Sequence, residues 1–313
     1  MVPQKVHLLD VTGPAHIFYE AKEYGADIDL HFVSISDETN IESTSGLNFC
    51  ELLPFHRFQL SAKDFIFVPG MEYRLFSDPE FMGSAQAFFK WLHQQYKNGV
   101  TVCSVCTGAF LLAEAGILDG KSGTTHWKYF PEFAKKYPKV DLKKNRLFVM
   151  GPHLYTSAGV SSGIDLSLFV LEKEYGPKLA ADVAKEAVVY FRRGESDPQL
   201  SIFLQYRNHQ ETRVHDVQDY MEQHLCDAFT LEELAGHVHM GVRNLTRLYK
   251  KTTGISIGTY LEKLRVERAV NLLSQNHKMD FVAGQIGLKS TNQLRAILKK
   301  NKAPLPNDLN SNP

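Results

Sequence analysis

Val100-Thr-Val-Cys-Ser-Val-Cys106-Thr-Gly-Ala-Phe-Leu-Leu-Ala113 is an apolar run, rich in β-branched residues, that stops at a cysteine and passes straight into helix formers. The composition predicts a strand over 100–105, a sharp turn at Cys106, and a helix over 107–115 stopped by Gly116. Gly108 lets the start of that helix pack closely against the strand. A strand, turn and helix of this kind form a nucleophile elbow, which lifts one side chain out at the carboxyl end of a sheet. The helix N-terminus there favours an anion, so Cys106 is expected as a thiolate of lowered pKa, reacting below the pH of an ordinary thiol.

The elements on either side extend the same pattern. A strand is predicted over 28–35, a short buried strand over 65–68 ended by Pro69-Gly70, and one helix over 79–97. Segments 147–150 and 154–156 flank Gly151-Pro152 and predict a hairpin, followed by helices over 164–175 and 179–190. Alternation of strand and helix predicts an α/β domain: a doubly wound, mostly parallel sheet with flanking helices. Upstream, a helix over 15–24 closes at Gly25, and the short stretch from Met1 to Val6 ahead of the Leu8-Leu9-Asp10 turn leaves the first strand shortened or missing. The run from Phe191 to Pro198 loses its periodicity, which places a linker over 192–212, between a domain of residues 1–191 and an all-α domain of residues 213–313.

Leu118-Asp-Gly-Lys-Ser-Gly-Thr-Thr125-His126-Trp127, Thr156-Ser-Ala-Gly-Val-Ser-Ser-Gly-Ile-Asp165 and Leu8-Leu9-Asp10-Val11-Thr12-Gly13-Pro14 resemble the PfpI-type branch of the glutamine-amidotransferase-like superfamily. The resemblance covers roughly residues 1–190 and implies that Asp10 faces the elbow cysteine. It makes Asp10, Gly70, Cys106, Thr107 and His126 the expected ligand pocket, with Cys106, His126 and Asp10 the candidates for any catalysis. The same residue types suit a domain that only holds a ligand: free cysteines are commonly buried, His126 can be a pocket wall, and Asp10 can cap the helix after Gly13-Pro14.

In the second domain Thr230 and Glu233 predict a capping box. From there Thr230-Leu-Glu-Glu-Leu-Ala-Gly-His-Val238 through Arg243-Asn-Leu-Thr-Arg247-Leu-Tyr-Lys-Lys251 to Leu273 resembles the DNA-binding domain of AraC-family transcription regulators. A second, weaker unit follows over 281–300. The family joins two helix-turn-helix units by a long helix, expected here over 257–274. Leu234, Ala235, Val238, Met240, Leu245, Leu248 and Tyr249 recur at helical spacing as a core face. Arg243, Asn244, Thr246 and Arg247 are then expected to point outward into a major groove, where such side chains read base edges; the alternative is a solvated face. Lys250, Lys251 and Arg268 suit phosphates. The second unit has Leu288, Leu294 and Leu298 in place of usual phenylalanines, Ala296 in place of an arginine, and Ala303-Pro-Leu-Pro306 in place of the closing turn. Its Thr291, Asn292 and Arg295 are therefore expected to contribute less to specificity.

Composition bounds the rest. The chain has 313 residues, 43% hydrophobic and 22% charged, with 35 basic and 35 acidic side chains, so overall charge favours no partner. The basic residues nevertheless gather late, from Arg243 to Arg268 and from Arg295 to Lys302. Four scattered cysteines give no disulfide framework and point to a reducing cytoplasm; Cys103 and Cys106 lack the second ligand pair of a zinc site. No apolar run approaches the ~20 residues that span a bilayer. The reading is a transcription regulator, not an enzyme, with double-stranded DNA and a small-molecule effector as partners, a homodimer formed through the first domain, and neither metal nor cofactor. The alternative is a cysteine-dependent hydratase or hydrolase with an appended DNA-binding domain.

Overall fold

The structure, a computed structural model, describes residues 1–144, 146–189, 193–194, 199, 201–275, 277–301 and 303. The chain divides into two compact units, residues 1–199 and 200–313. The segment 304–306, on which the closing-turn expectation falls, lies outside the described residues.

The first unit is built on a four-stranded sheet of β1 (Phe65–Val68), β2 (Thr101–Val105), β3 (Phe148–Gly151) and β4 (Leu154–Ser157), in the order β1-β2-β4-β3. β2 runs parallel to both neighbours, with Val68 opposite Ser104 and Ser157 opposite Val105; β3 is the antiparallel edge. Every residue of β2 is buried, as a central strand covered on both faces requires. Helices α1 (Leu8–Glu23), α2 (Gln86–Lys97), α3 (Gly108–Glu114), α4 (Ser161–Tyr175) and α5 (Pro177–Glu186) supply the cover. Adjacent residues of β2 serve opposite faces: Val102 packs with Phe88, Leu92, Phe110 and Leu111 of α2 and α3, and Cys103 with Leu166 and Val170 of α4. α1, α4 and α5 meet through Ile17, Ala21, Leu168, Leu171, Ala180 and Val183. The doubly wound, mostly parallel sheet is thus present.

Three local expectations change. α1 begins at Leu8 rather than residue 15 and carries Pro14 in its interior, because the Asp10 carboxylate in its first turn is bound by the Gly70 and Val160 amides and does not cap a later helix. The strand expected over 28–35 shrinks to Val33–Ser34, paired with Leu53–Pro54; Leu30 and Phe32 stay exposed. The helix over 79–97 is two, Pro79–Ser84 and Gln86–Lys97, broken at Ala85. At the N-terminus Val2 forms one parallel bridge to Ser34, and the amino group of Met1 donates to Phe67 O at 2.7 Å.

The second unit is helical: a short helix Ile202–Tyr206, then α6 (Thr212–Gln223), α7 (Leu231–His237), α8 (Val242–Thr253), α9 (Ile257–Ser274), α10 (Met279–Gln285) and α11 (Thr291–Lys300). Thr230 and Glu233 form the capping box of α7, each bonding the other's backbone N–H. Leu234, Leu245, Tyr249, Tyr260, Leu294 and Leu298 fill one core, so the leucines of the second unit pack despite replacing aromatic rings.

Candidate functional site

Cys106 sits between β2 and α3 with φ +59°, in the left-handed region that a residue other than glycine seldom adopts. Two glycines make room for it. A Cβ on Gly70 would collide with Asp10 Oδ2 and lie 2.9 Å from both Cys106 Cβ and Thr107 Oγ1; one on Gly159 would lie 2.9 Å from Cys106 Sγ. Thr107 is fully buried and turned toward the Gly70 loop, its hydroxyl donating to Met71 O at 3.0 Å and accepting from Met71 N at 2.9 Å. Asp10, 2% exposed, accepts from Gly70 N at 3.2 Å and Val160 N at 2.9 Å, so three segments converge on one carboxylate.

The structure therefore brings Asp10, Gly70, Cys106 and Thr107 together, and adds a residue that the sequence did not single out. His7, one turn before Asp10, places Nδ1 4.0 Å from Cys106 Sγ and 3.5 Å from Asp10 Oδ2. The only signal for it was its i, i+3 spacing from Asp10 in a segment that turned out to be helical. His7, Asp10 and Cys106 offer a nitrogen, an oxygen and a sulfur within 4.8 Å of one another, the one such trio among the described residues that could hold a cation. His126 stands at the mouth instead. Its Nδ1 accepts from Lys128 N at 3.3 Å and its ring lies against Trp127, which is 45% exposed, and Tyr129. Burial lowers the His126 pKa, with the Asp10 charge pulling the other way.

Burial works against the expected thiolate. Burial, and next the Asp10 charge, push the Cys106 pKa well above that of an ordinary thiol, against the smaller contribution of the Thr107 N–H. The short helix α3 cannot offset desolvation of a sulfur that is 3% exposed. A protonated thiol donates to a carboxylate, which makes the elbow a polar receptor at neutral pH more than an armed nucleophile. A cavity of about 990 Å³ in the first unit is bordered by Asp10 and Phe67 but not by Cys106 or His126.

In the second unit α8 buries Leu245 and Tyr249 and exposes Arg243, Asn244, Arg247, Lys250 and Lys251. Thr246 is half-buried, and its hydroxyl turns back to Arg243 O at 3.1 Å. Arg243, Thr246, Arg247 and Lys250 border a groove of about 520 Å³ with Ser256 and Gly258. In α11, Asn292 and Arg295 are exposed and bonded to each other at 3.3 Å, and Thr291 is half-buried.

Residues 1–173 match the DJ-1/PfpI family and residues 234–311 a helix-turn-helix domain. The HTH-type transcriptional regulator CdhR of Pseudomonas aeruginosa is 33% identical over 190 residues, 60% of this chain and 56% of that protein. GbdR, an HTH-type transcriptional regulator of the same species, is 32% identical over 203 residues, 64% of this chain and 55% of its own. The match thus spans little more than half the length of these relatives. The crystal structure of Drosophila melanogaster DJ-1beta, 17% identical, covers 60% of this chain and 94% of its own with a TM-score of 0.50, a likeness of fold. No helix among the described residues is long and apolar enough to cross a membrane.

Proposed function

We propose that this chain, which belongs to the DJ-1/PfpI family and carries an AraC-type helix-turn-helix domain, is a sequence-specific DNA-binding transcription regulator whose first unit senses a small metabolite. The observation that carries this reading is the outer face of α8, where Arg243, Asn244 and Arg247 lie exposed over a packed core. A helix presented this way enters a major groove, where arginine pairs with both acceptors of guanine and asparagine with adenine. Lys250 and Lys251 meet phosphates. Thr246, half-buried, and Thr291, Asn292 and Arg295 of α11 have the lesser part in specificity. The first unit holds its effector at the elbow, among Asp10, Gly70, Cys106, Thr107 and His126, and pairs two copies of the chain; the protein acts in the cytoplasm.

A binding role suits a neutral thiol: an occupied sensor must stay occupied long enough to shift a conformational equilibrium, and turnover would erase the signal. The hydratase or hydrolase reading rests on the strained backbone of Cys106 and has no lowered thiol pKa behind it.

The test starts from DNA duplexes that the full chain enriches from a randomised pool. Arg243→Ala and Arg247→Ala are each expected to weaken binding to the enriched duplex by about 1–3 kcal/mol and to relax preference at one base position. Lys250→Ala is expected to weaken all duplexes alike and to lower the salt slope by about 1. Equal losses on enriched and random DNA for all three would remove the base-reading assignment. Cys106→Ser leaves DNA binding intact under this reading; a small substrate turned over by the chain, with that turnover abolished in Cys106→Ser, would establish the enzyme instead.

A further inference from the structure

Two residues beyond α5 reach back to the walls of the elbow. Arg193 donates to Asp165 Oδ2 from Nε at 3.0 Å and Nη2 at 2.6 Å, and from Nη2 to Ser161 Oγ at 2.8 Å. Ser161 opens α4 directly after Val160, whose N–H holds Asp10. Gln199 goes deeper. It is 8% exposed, with Nε2 2.8 Å from Thr124 Oγ1, 2.9 Å from Thr125 O and 3.2 Å from Arg146 O. Thr125 in turn donates from Oγ1 to Cys106 O at 2.9 Å, and the residue after it is His126. The side-chain amide of Gln199 is thus two hydrogen bonds from the backbone of the elbow cysteine. A solvated linker has no use for such an anchor, since burying a glutamine costs rotamer entropy and desolvation, which the hydrogen bonds from Nε2 offset while Oε1 is buried without one.

Three residues later the chain is buried again. Ile202 is 3% exposed in the core of the second unit, and its N–H donates to Glu267 Oε2 on α9 at 2.7 Å. Since a chain advances at most ~3.6 Å per residue, the step from residue 199 to residue 202 spans at most roughly 11 Å. A tether of so few residues is short enough for a displacement at one end to be felt at the other.

We infer that Gln199 is a coupling residue: occupancy of the elbow acts on the Cys106 carbonyl and the Thr124–Thr125 segment, and the Gln199 amide passes the change along the tether to α9, which joins the two helix-turn-helix units. This rests on the regulator reading above. Coupling between two binding sites is reciprocal, so DNA on the second unit must alter the local stability of the Thr124–Thr125 segment even with no effector present.

The experiment measures amide hydrogen exchange by mass spectrometry on the full chain, with and without an enriched duplex. Thr124 is the reporter, its N–H bonded to Thr156 Oγ1 at 2.8 Å. DNA is expected to change its exchange rate by about fivefold or more. Two variants are expected to abolish that change while keeping DNA affinity: Gln199→Ala, and a Gly-Ser-Gly insertion between residues 200 and 201. The insertion lengthens the tether while leaving Gln199 and Ile202 intact, so it answers for any loosening of the first unit by Gln199→Ala. An enriched duplex that leaves Thr124 exchange unchanged overturns the coupling alone, as does a change that survives the insertion. If the chain enriches no duplex, the regulator reading falls and the coupling with it.

Discussion

A thiol sealed among a carboxylate, two glycines and a threonine behaves differently from the same thiol at a bare helix start. Desolvation is the largest influence on Cys106 and the Asp10 charge the next, both favouring the protonated form. Alkylation of the Cys106 peptide is therefore expected to rise only above the pH range of an ordinary thiol, and Asp10→Asn is expected to bring that rise to lower pH without restoring the ordinary value. Unchanged pH profiles in Asp10→Asn, followed by mass spectrometry, would show that the carboxylate is irrelevant. Because the folded-state value is the raised one, its contribution to stability is intact below the ordinary thiol range and is lost as pH climbs from there toward the raised value. Gly70→Ala tests the packing directly: the added methyl meets Asp10 Oδ2, Cys106 Cβ and Thr107 Oγ1, and a loss of about 1–3 kcal/mol in denaturant unfolding is expected. Cys106, Asp10 and Thr107 were legible because they sit in long ordered motifs, and Gly70 because Pro69-Gly70 ends a short apolar strand. His7 was not, since a lone imidazole beside two leucines carries no pattern, and the protonation of the thiol was not, since desolvation belongs to the packed interior.

Among the helices, α7 depends on its cap more than longer helices do, having seven residues and two buried side chains, Leu234 and Ala235. Thr230→Ala removes the hydroxyl that accepts from Glu233 N and is expected to cost about 1 kcal/mol, read as a lower thermal midpoint of the second unit. An unchanged midpoint would show the cap to be redundant with the core. The capping box, α9 and the hairpin of β3 and β4 were all readable, because each is specified by residues near in sequence. α1 was misread at its start because its first turn is held by amides of Gly70 and Val160, which are distant in sequence. The 28–35 strand was misread because alternation does not reveal whether a partner lies alongside; here pairing reaches only Val33 and Ser34.

The molecule as a whole joins an α/β unit to a helical one through a stretch whose composition gave no hint of its anchors. Periodicity was absent from 191 to 198, yet Arg193 and Gln199 are tied into the first unit and Ile202 into the second. Trp127, half open at the mouth of the elbow, has a further consequence. The chain has two tryptophans, and the other, Trp91, packs against Phe55 and Phe88 in the same unit. Indole emission is therefore blind to the helical unit, whose unfolding shows in far-ultraviolet ellipticity. In a urea titration the emission curve follows the sheet domain alone, and ellipticity follows both. Coincident curves for the unaltered chain that separate once the tether is lengthened would show two optical signals bound into one transition by a few residues of backbone.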